Sequence, residues 1–202
     1  MEEVNRIWKG SSLAGVSDIR VRADNDFYAT PEETTVAILN KEKLIGQIWE
    51  PACGQGHITK VIKQFYPNDN IISTDLIKRE DKFNVGIVGG VDFLSVQEDS
   101  KCGTIITNPP FNLMQEFVEK ALKIAEHKVI MFGKIQFLEG EKRKMLFEEH
   151  PFQRMYVFSK RQNPMRNGEP LDENGKKWTG TMCFAWFVWD KDCQQEPTVH
   201  WI

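Results

Sequence analysis

The chain has 202 residues, 41% of them hydrophobic, and a formal charge of −3. That length and apolar content suit one folded domain with a full core, and the slightly acidic balance disfavours a protein that coats nucleic acid non-specifically. No run of about eighteen apolar residues occurs, so no helix is expected to span a membrane, and the opening Met1-Glu2-Glu3-Val4-Asn5 lacks the basic and apolar regions of a signal peptide.

In chain order, residues 1–25 read as an N-terminal extension. Thr30-Pro31-Glu32-Glu33 then gives a helix start, with a hydroxyl cap, proline at the first position and an acid three residues after the cap. The helix is expected to run to about Lys43. Strands are predicted near Gln47–Trp49, Ile71–Thr74, Ile87–Val91, Thr104–Thr107 and Lys128–Phe132. Between the first two, Ile58, Val61, Ile62 and Phe65 recur at helical spacing. Leu113–Ala125 is amphipathic, and Glu141–Glu149 is a charged helix. Met155–Phe158 and Met182–Trp189 are expected to pair as the last two strands, making seven. The unbroken run Phe184-Ala185-Trp186-Phe187-Val188-Trp189 implies burial on both faces. Between those two strands, Pro164, Gly168, Pro170 and Gly175 mark residues 160–180 as a polar loop. Basic Lys160, Arg161, Arg166, Lys176 and Lys177 make it either a solvated loop or one that faces nucleic acid.

Two constellations carry chemistry. Thr107-Asn108-Pro109-Pro110-Phe111 closes an apolar strand. Two prolines remove two backbone donors and fix two φ angles, so the chain leaves the sheet in a rigid extended turn. One amide and one aromatic ring at such a corner are suited to accept hydrogen bonds from a flat amino group and to stack on the ring that carries it. Upstream, Glu50-Pro51-Ala52-Cys53-Gly54-Gln55-Gly56 joins a strand to a helix, and Ile71-Ile72-Ser73-Thr74-Asp75 ends a second strand in a carboxylate about twenty residues later. Glycines at a helix N-terminus admit a ligand to the backbone, and an acid at that offset can hold a ribose diol. The third glycine of the dinucleotide fingerprint and any phosphate-binding lysine motif are missing, which favours a phosphate-free nucleoside cofactor. Cys53 has no identifiable partner base. Cys102, Cys183 and Cys193 show no Cys-x-x-Cys spacing with it or with each other, and the four histidines are scattered. A reduced, cytoplasmic, metal-free protein is the expectation.

These blocks resemble the class I S-adenosylmethionine-dependent methyltransferases of the amino-methylating type, most of all the DNA adenine-N6 methyltransferases. The likeness runs from Asp26 to about Phe111 and is looser beyond. Asp26-Phe27-Tyr28-Ala29-Thr30-Pro31 is similar to the family's N-terminal cofactor motif, Glu50–Gly56 to its Gly-rich loop and Asn108–Phe111 to its catalytic tetrapeptide. The resemblance implies a Rossmann-like α/β fold, with a seven-stranded mostly parallel sheet, an antiparallel last strand and helices on both faces. It implies S-adenosyl-L-methionine held by Tyr28, Thr30, Pro31, Glu50, Ala52, Gly54, Gly56, Asp75, Leu76, Asp92, Phe93 and Asn108. Within that set Asp75 would take the ribose, Asp92 the adenine amino group, and Leu76 and Phe93 the ring faces. Catalysis would fall to Asn108, Pro109, Pro110 and Phe111, with Phe111 stacking on the base, while the charge of the 160–180 loop makes Lys160 and Arg161 candidates to meet a DNA substrate. No separate target-recognition domain is visible, which is similar to the small enzymes of phages and prophages. Glutamine-N5 methylation of proteins, methylation of RNA amino groups, and a degenerate cofactor-binding interaction module stay open as alternatives.

Overall fold

Strands covered on both faces carry unbroken apolar runs, because alternate side chains serve opposite layers. The computed structural model describes residues 23–202, and its central strands are of that kind. In chain order they are β1 (Tyr28–Ala29), β2 (Ile48–Glu50), β3 (Ile71–Asp75), β4 (Ile87–Gly89), β5 (Cys102–Thr107), β6 (Ala125–Lys134), β7 (Arg154–Val157), β8 (Met165–Arg166), β9 (Phe184–Asp190) and β10 (Thr198–Trp201). The helices are α1 (Glu32–Leu39), α2 (His57–Phe65), α3 (Met114–Ile124) and α4 (Glu141–Glu149). Ile105 of β5 packs with Phe117, Val118 and Ala121 of α3, while its neighbour Ile106 packs with Ile38 of α1 and Ile58, Val61 and Ile62 of α2. Val129 and Ile130 of β6 divide in the same way. Two cores, one on each side of the sheet, follow from this alternation.

Eight strands form the sheet, in the order β10-β7-β9-β6-β5-β2-β3-β4. The expected count of seven is therefore corrected to eight. Strand β9 runs antiparallel to both β6 and β7, and the remaining pairs are parallel. The antiparallel strand thus lies inside the sheet, and the strand added at the edge is β10, parallel to β7. Its four residues are all exposed, so it lacks the apolar run that marks the buried strands. Strands β7 and β9 do pair, as the sequence implies. The order reverses between β2 and β5, so a crevice opens at the carboxyl ends of these parallel strands.

The first helix departs from its predicted start. Pro31 is the capping position, no side chain caps it, and α1 ends at Leu39 rather than near Lys43. The Thr30 hydroxyl has another partner, described below. At the strand ends opposite the crevice, a buried ionic cluster joins the turn after α1 to three strands. Glu42 accepts from Lys128 Nζ (2.8 Å), Tyr156 Oη (2.8 Å) and Arg154, and Arg154 also reaches Asp190. Burial alone would raise the Glu42 carboxyl; hydrogen bonds from Arg154, Lys128 and Tyr156 outweigh it and hold the group below its ordinary value. The charges balance, so the cluster reads as a structural tie. No helix among the described residues is long and apolar enough to cross a membrane.

Residues 160–180, expected as a plain loop, contain strand β8, which pairs antiparallel with β1 at Tyr28↔Arg166 and Ala29↔Met165. Asn167 N–H also donates to the Phe27 carbonyl (3.0 Å). The loop is thus strapped onto the segment that carries the N-terminal motif.

Candidate active site

Strand β5 delivers Asn108 to the crevice, and Pro109-Pro110 carries the chain out of the sheet. The Pro110 carbonyl then accepts from Leu113 N–H (2.9 Å), closing a 3₁₀ turn over Phe111–Leu113. The Asn108 amide is oriented by its neighbours. Its Nδ2 donates to the Tyr28 carbonyl (2.7 Å) and the Thr30 hydroxyl (3.0 Å). A carbonyl can only accept, so the nitrogen must face Tyr28, and the oxygen is left on the other side. That Oδ1 is buried with no hydrogen-bond partner among the described residues. A buried acceptor without a donor costs about 1–3 kcal/mol, so its retention calls for an explanation.

A cavity of about 460 Å³ lies beside this corner. Of the residues singled out in the sequence, Tyr28, Thr30, Glu50, Ala52, Asp75, Leu76, Asp92, Phe93, Asn108, Pro109 and Pro110 line it. Pro31, Gly54 and Gly56 are not part of the lining. Phe111 is not part of that lining; it borders a second groove of about 460 Å³, which shares Asn112 with the cavity. Its ring packs against Tyr28 (centroids 5.7 Å) and Phe184 (5.6 Å), with Lys134 Nζ 4.7 Å from its centroid. Lys160 and Arg161 are exposed and line neither space; Arg161 donates to the Gly180 carbonyl (2.7 Å), closing the base of its loop.

The Gly-rich turn is shaped by contacts a side chain would forbid. Gly54 has φ +57, and a Cβ there would stand 2.3 Å from the Phe27 ring. Gly54 N–H donates to Asp75 Oδ2 (2.8 Å), and Ile77 N–H to Asp75 Oδ1 (2.8 Å). Asp75 is thereby fixed at the tip of β3, and each carboxylate oxygen keeps a lone pair for a ligand. Leu76, next in sequence, is 59% exposed, an apolar face at the cavity mouth. Phe93 is a core ring, edge-on to Trp49 at 5.4 Å, and only its margin reaches the cavity. Asp92 caps its own turn, accepting from Leu94 N–H (3.0 Å) and Ser95 Oγ (2.6 Å).

Among the lining residues outside the expected site set are Asp26, Arg79 and His57. Asp26 accepts from the Phe111 N–H (2.9 Å). Arg79 lays its guanidinium over the Phe27 ring (4.3 Å) and brings Nε to 4.0 Å from Asp75 Oδ1. His57 opens α2, edge-on to Phe83. Burial, with Lys82 and Lys60 nearby, pushes the His57 ring down to about 4. Local signals exist for two of them: Asp26 opens the N-terminal motif, and Arg79 stands four residues after Asp75. Burial raises the Cys53 thiol, so a thiolate is disfavoured. Among the described residues, no group of three His, Cys, Asp or Glu could hold a metal ion.

Glu50, 1% exposed, accepts from Thr59 N–H (2.8 Å) and from the Thr59 hydroxyl. Thr59 is the third residue of α2, whose own capping position, Gly56, has no side chain to offer; the preceding strand supplies the cap instead. Burial pushes the Glu50 carboxyl up to about 8, and Asp75 adds to the rise. A proton held more tightly in the folded state stabilises it fully below the ordinary value of 4.5, and that stability is lost as pH rises through about 8. His57 acts in the opposite sense, but only below its ordinary value of 6.5. From pH 6.5 to 8, therefore, Glu50 should lower the melting temperature of the ligand-free protein, and Glu50→Gln should flatten that fall. Equal slopes in parent and variant, read by calorimetry, contradict the assignment.

No family model and no curated protein matches this sequence. Solved structures do match. A candidate class I S-adenosylmethionine-dependent methyltransferase from Listeria monocytogenes superposes with a TM-score of 0.59 at 13% identity, over 86% of this chain and 64% of that one. The type I restriction-modification system methyltransferase subunit from Streptococcus thermophilus gives 0.56 at 12% identity, over 91% and 48%. A candidate RNA methyltransferase from Pyrococcus horikoshii gives 0.59 at 13% identity, over 91% and 99%. The chain thus spans about half the length of the restriction-modification subunit. Identities this low establish the architecture: the chain has the Rossmann-like fold of the class I methyltransferases.

Proposed function

We propose that this protein is an S-adenosylmethionine-dependent methyltransferase whose acceptor is the exocyclic amino nitrogen of adenine in DNA. The observation that carries the reading is the buried Oδ1 of Asn108, without a hydrogen-bond partner among the described residues, on a residue that lines a cavity in the switch-point crevice.

The donor set suits the cofactor. Asp75 offers two anchored oxygens for a ribose diol, Leu76 an exposed apolar face for a purine ring, and Asp92 a carboxylate beside it. When bound, S-adenosylmethionine supplies an electrophilic methyl group on a sulfonium. The chain's own part is to bind, orient and polarise. An aryl amino nitrogen is a poor nucleophile because its lone pair is delocalised into the ring. Asn108 Oδ1, accepting one amino N–H, draws that proton aside and favours a pyramidal nitrogen with its lone pair turned toward the cavity. Since Tyr28 and Thr30 already hold the amide, little reorganisation is left for the moment of reaction. Phe111, which borders the adjoining groove rather than the cavity, would offer ring surface there to a base taken out of its stack, a contact worth about 1–3 kcal/mol.

DNA is supported by the resemblance of the tetrapeptide and by the restriction-modification subunit among the structural neighbours. RNA is the second reading, favoured by the Pyrococcus neighbour, which this chain matches over nearly its whole length. Incubation with methyl-labelled cofactor and DNA, RNA or protein, followed by digestion and chromatography, separates these. N6-methyldeoxyadenosine is the expected product. Label confined to RNA nucleosides or to glutamine in protein overturns the DNA assignment, and cofactor binding with no transfer to any acceptor overturns the enzyme.

A further inference from the structure

The acceptor loop has few anchors of its own. Pro109 and Pro110 carry no N–H, so the first backbone donor after Asn108 belongs to Phe111. That N–H goes to Asp26 Oδ2 at 2.9 Å. At the loop's other end the Asn108 amide donates to the Tyr28 carbonyl and the Thr30 hydroxyl. All three acceptors come from the five residues 26–30, which also border the cavity.

This short segment is itself built to aim a carboxylate. Asn25 (φ 52°) and Asp26 (φ 56°) both adopt the left-handed conformation, uncommon for residues other than glycine. Asp26 N–H closes the turn onto the Ala23 carbonyl (3.0 Å), and the β1–β8 ribbon secures the residues that follow. Two successive residues in a sparsely populated region persist only where the surroundings over-determine them, and such sites cluster around function. Here the result is a carboxylate placed at the one donor the double proline leaves.

We infer that Asp26 is a positioning residue for methyl transfer: through the Phe111 N–H, its carboxylate clamps the far end of the Asn108–Phe111 loop and holds the Asn108 amide in its place in the cavity lining. The inference rests on the acceptor role proposed for Asn108. Without the clamp the loop is held at the Asn108 end alone and can pivot there. A displacement near 1 Å at a reacting centre can cost about 10²-fold in rate.

The test compares Asp26→Ala with Asp26→Asn, which keeps a side-chain oxygen for the Phe111 N–H. Asp26→Ala should lower kcat for transfer to DNA, read at saturating cofactor because Asp26 also lines the cavity, by about 10- to 100-fold. Asp26→Asn should recover most of the loss. In the same proteins, amide hydrogen exchange at Phe111 should quicken in Asp26→Ala and stay near the parent in Asp26→Asn, a readout that needs no acceptor. A variant pair equally impaired, or an Asp26→Ala protein with parental kcat and parental Phe111 exchange, overturns the clamp. If the parent labels no DNA, the proposed substrate falls, and Phe111 exchange alone decides the clamp, an unchanged rate in Asp26→Ala overturning it.

Discussion

Replacing Asn108 with alanine should lower methyl transfer by about 10²–10³-fold, the loss typical when one preorganised hydrogen-bonding group aimed at developing charge is removed. Binding of S-adenosylmethionine, read by isothermal titration, should change far less. The substitution also strips Nδ2 from the Tyr28 carbonyl and the Thr30 hydroxyl, so the effect needs dividing between acceptor and anchor. Thr30→Val supplies the control. It removes one anchor and leaves Oδ1 in place, and should cost no more than about tenfold, in line with one neutral hydrogen bond. An Asn108→Ala protein that transfers methyl groups as fast as the parent refutes the mechanism, whatever the substrate.

The second large effect is expected at Asp75. Asp75→Ala should raise the S-adenosylmethionine dissociation constant by about 10²-fold, since hydrogen bonds to a charged group contribute about 1.5–3 kcal/mol each. Part of that loss is structural. Both carboxylate oxygens already hold backbone, Gly54 N–H on one side and Ile77 N–H on the other. Asparagine is therefore not a silent replacement: its NH₂ would face one of those two donors. Asp75→Asn should consequently weaken binding as well, with a lower melting temperature in the ligand-free protein. A dissociation constant within about threefold of the parent in Asp75→Ala would remove Asp75 from the cofactor site.

Local chemistry was what the sequence could convey. The buried strands announce themselves through runs such as Phe184–Trp189, because a strand covered on both faces has no polar side to show. The glycine turn, the acid at the end of β3 and the Asn-Pro-Pro-Phe corner are each contiguous, and they fall at the carboxyl ends of β2, β3 and β5. Strand β10 left no such signature, being short and exposed on both faces. Thr30 reads locally as a helix cap, but tertiary structure gives its hydroxyl to Asn108, 78 positions away. Asp26 and Phe111 are 85 positions apart, and no spacing rule links them. Asp92 shows the converse: its position fits a ligand contact, yet the nearest donors are in its own 3₁₀ turn. Lys160 and Arg161 were chosen for charge alone, and charge on a loop does not say which way the loop folds.

The most direct measurement is a structure of the protein with S-adenosylhomocysteine and an adenine-containing oligonucleotide. An extruded adenine is expected beside Phe111, its amino nitrogen within hydrogen-bonding distance of Asn108 Oδ1 and facing the sulfur. An Asn108 oxygen turned away to bond the protein, with the base lodged elsewhere, would contradict the proposed mechanism.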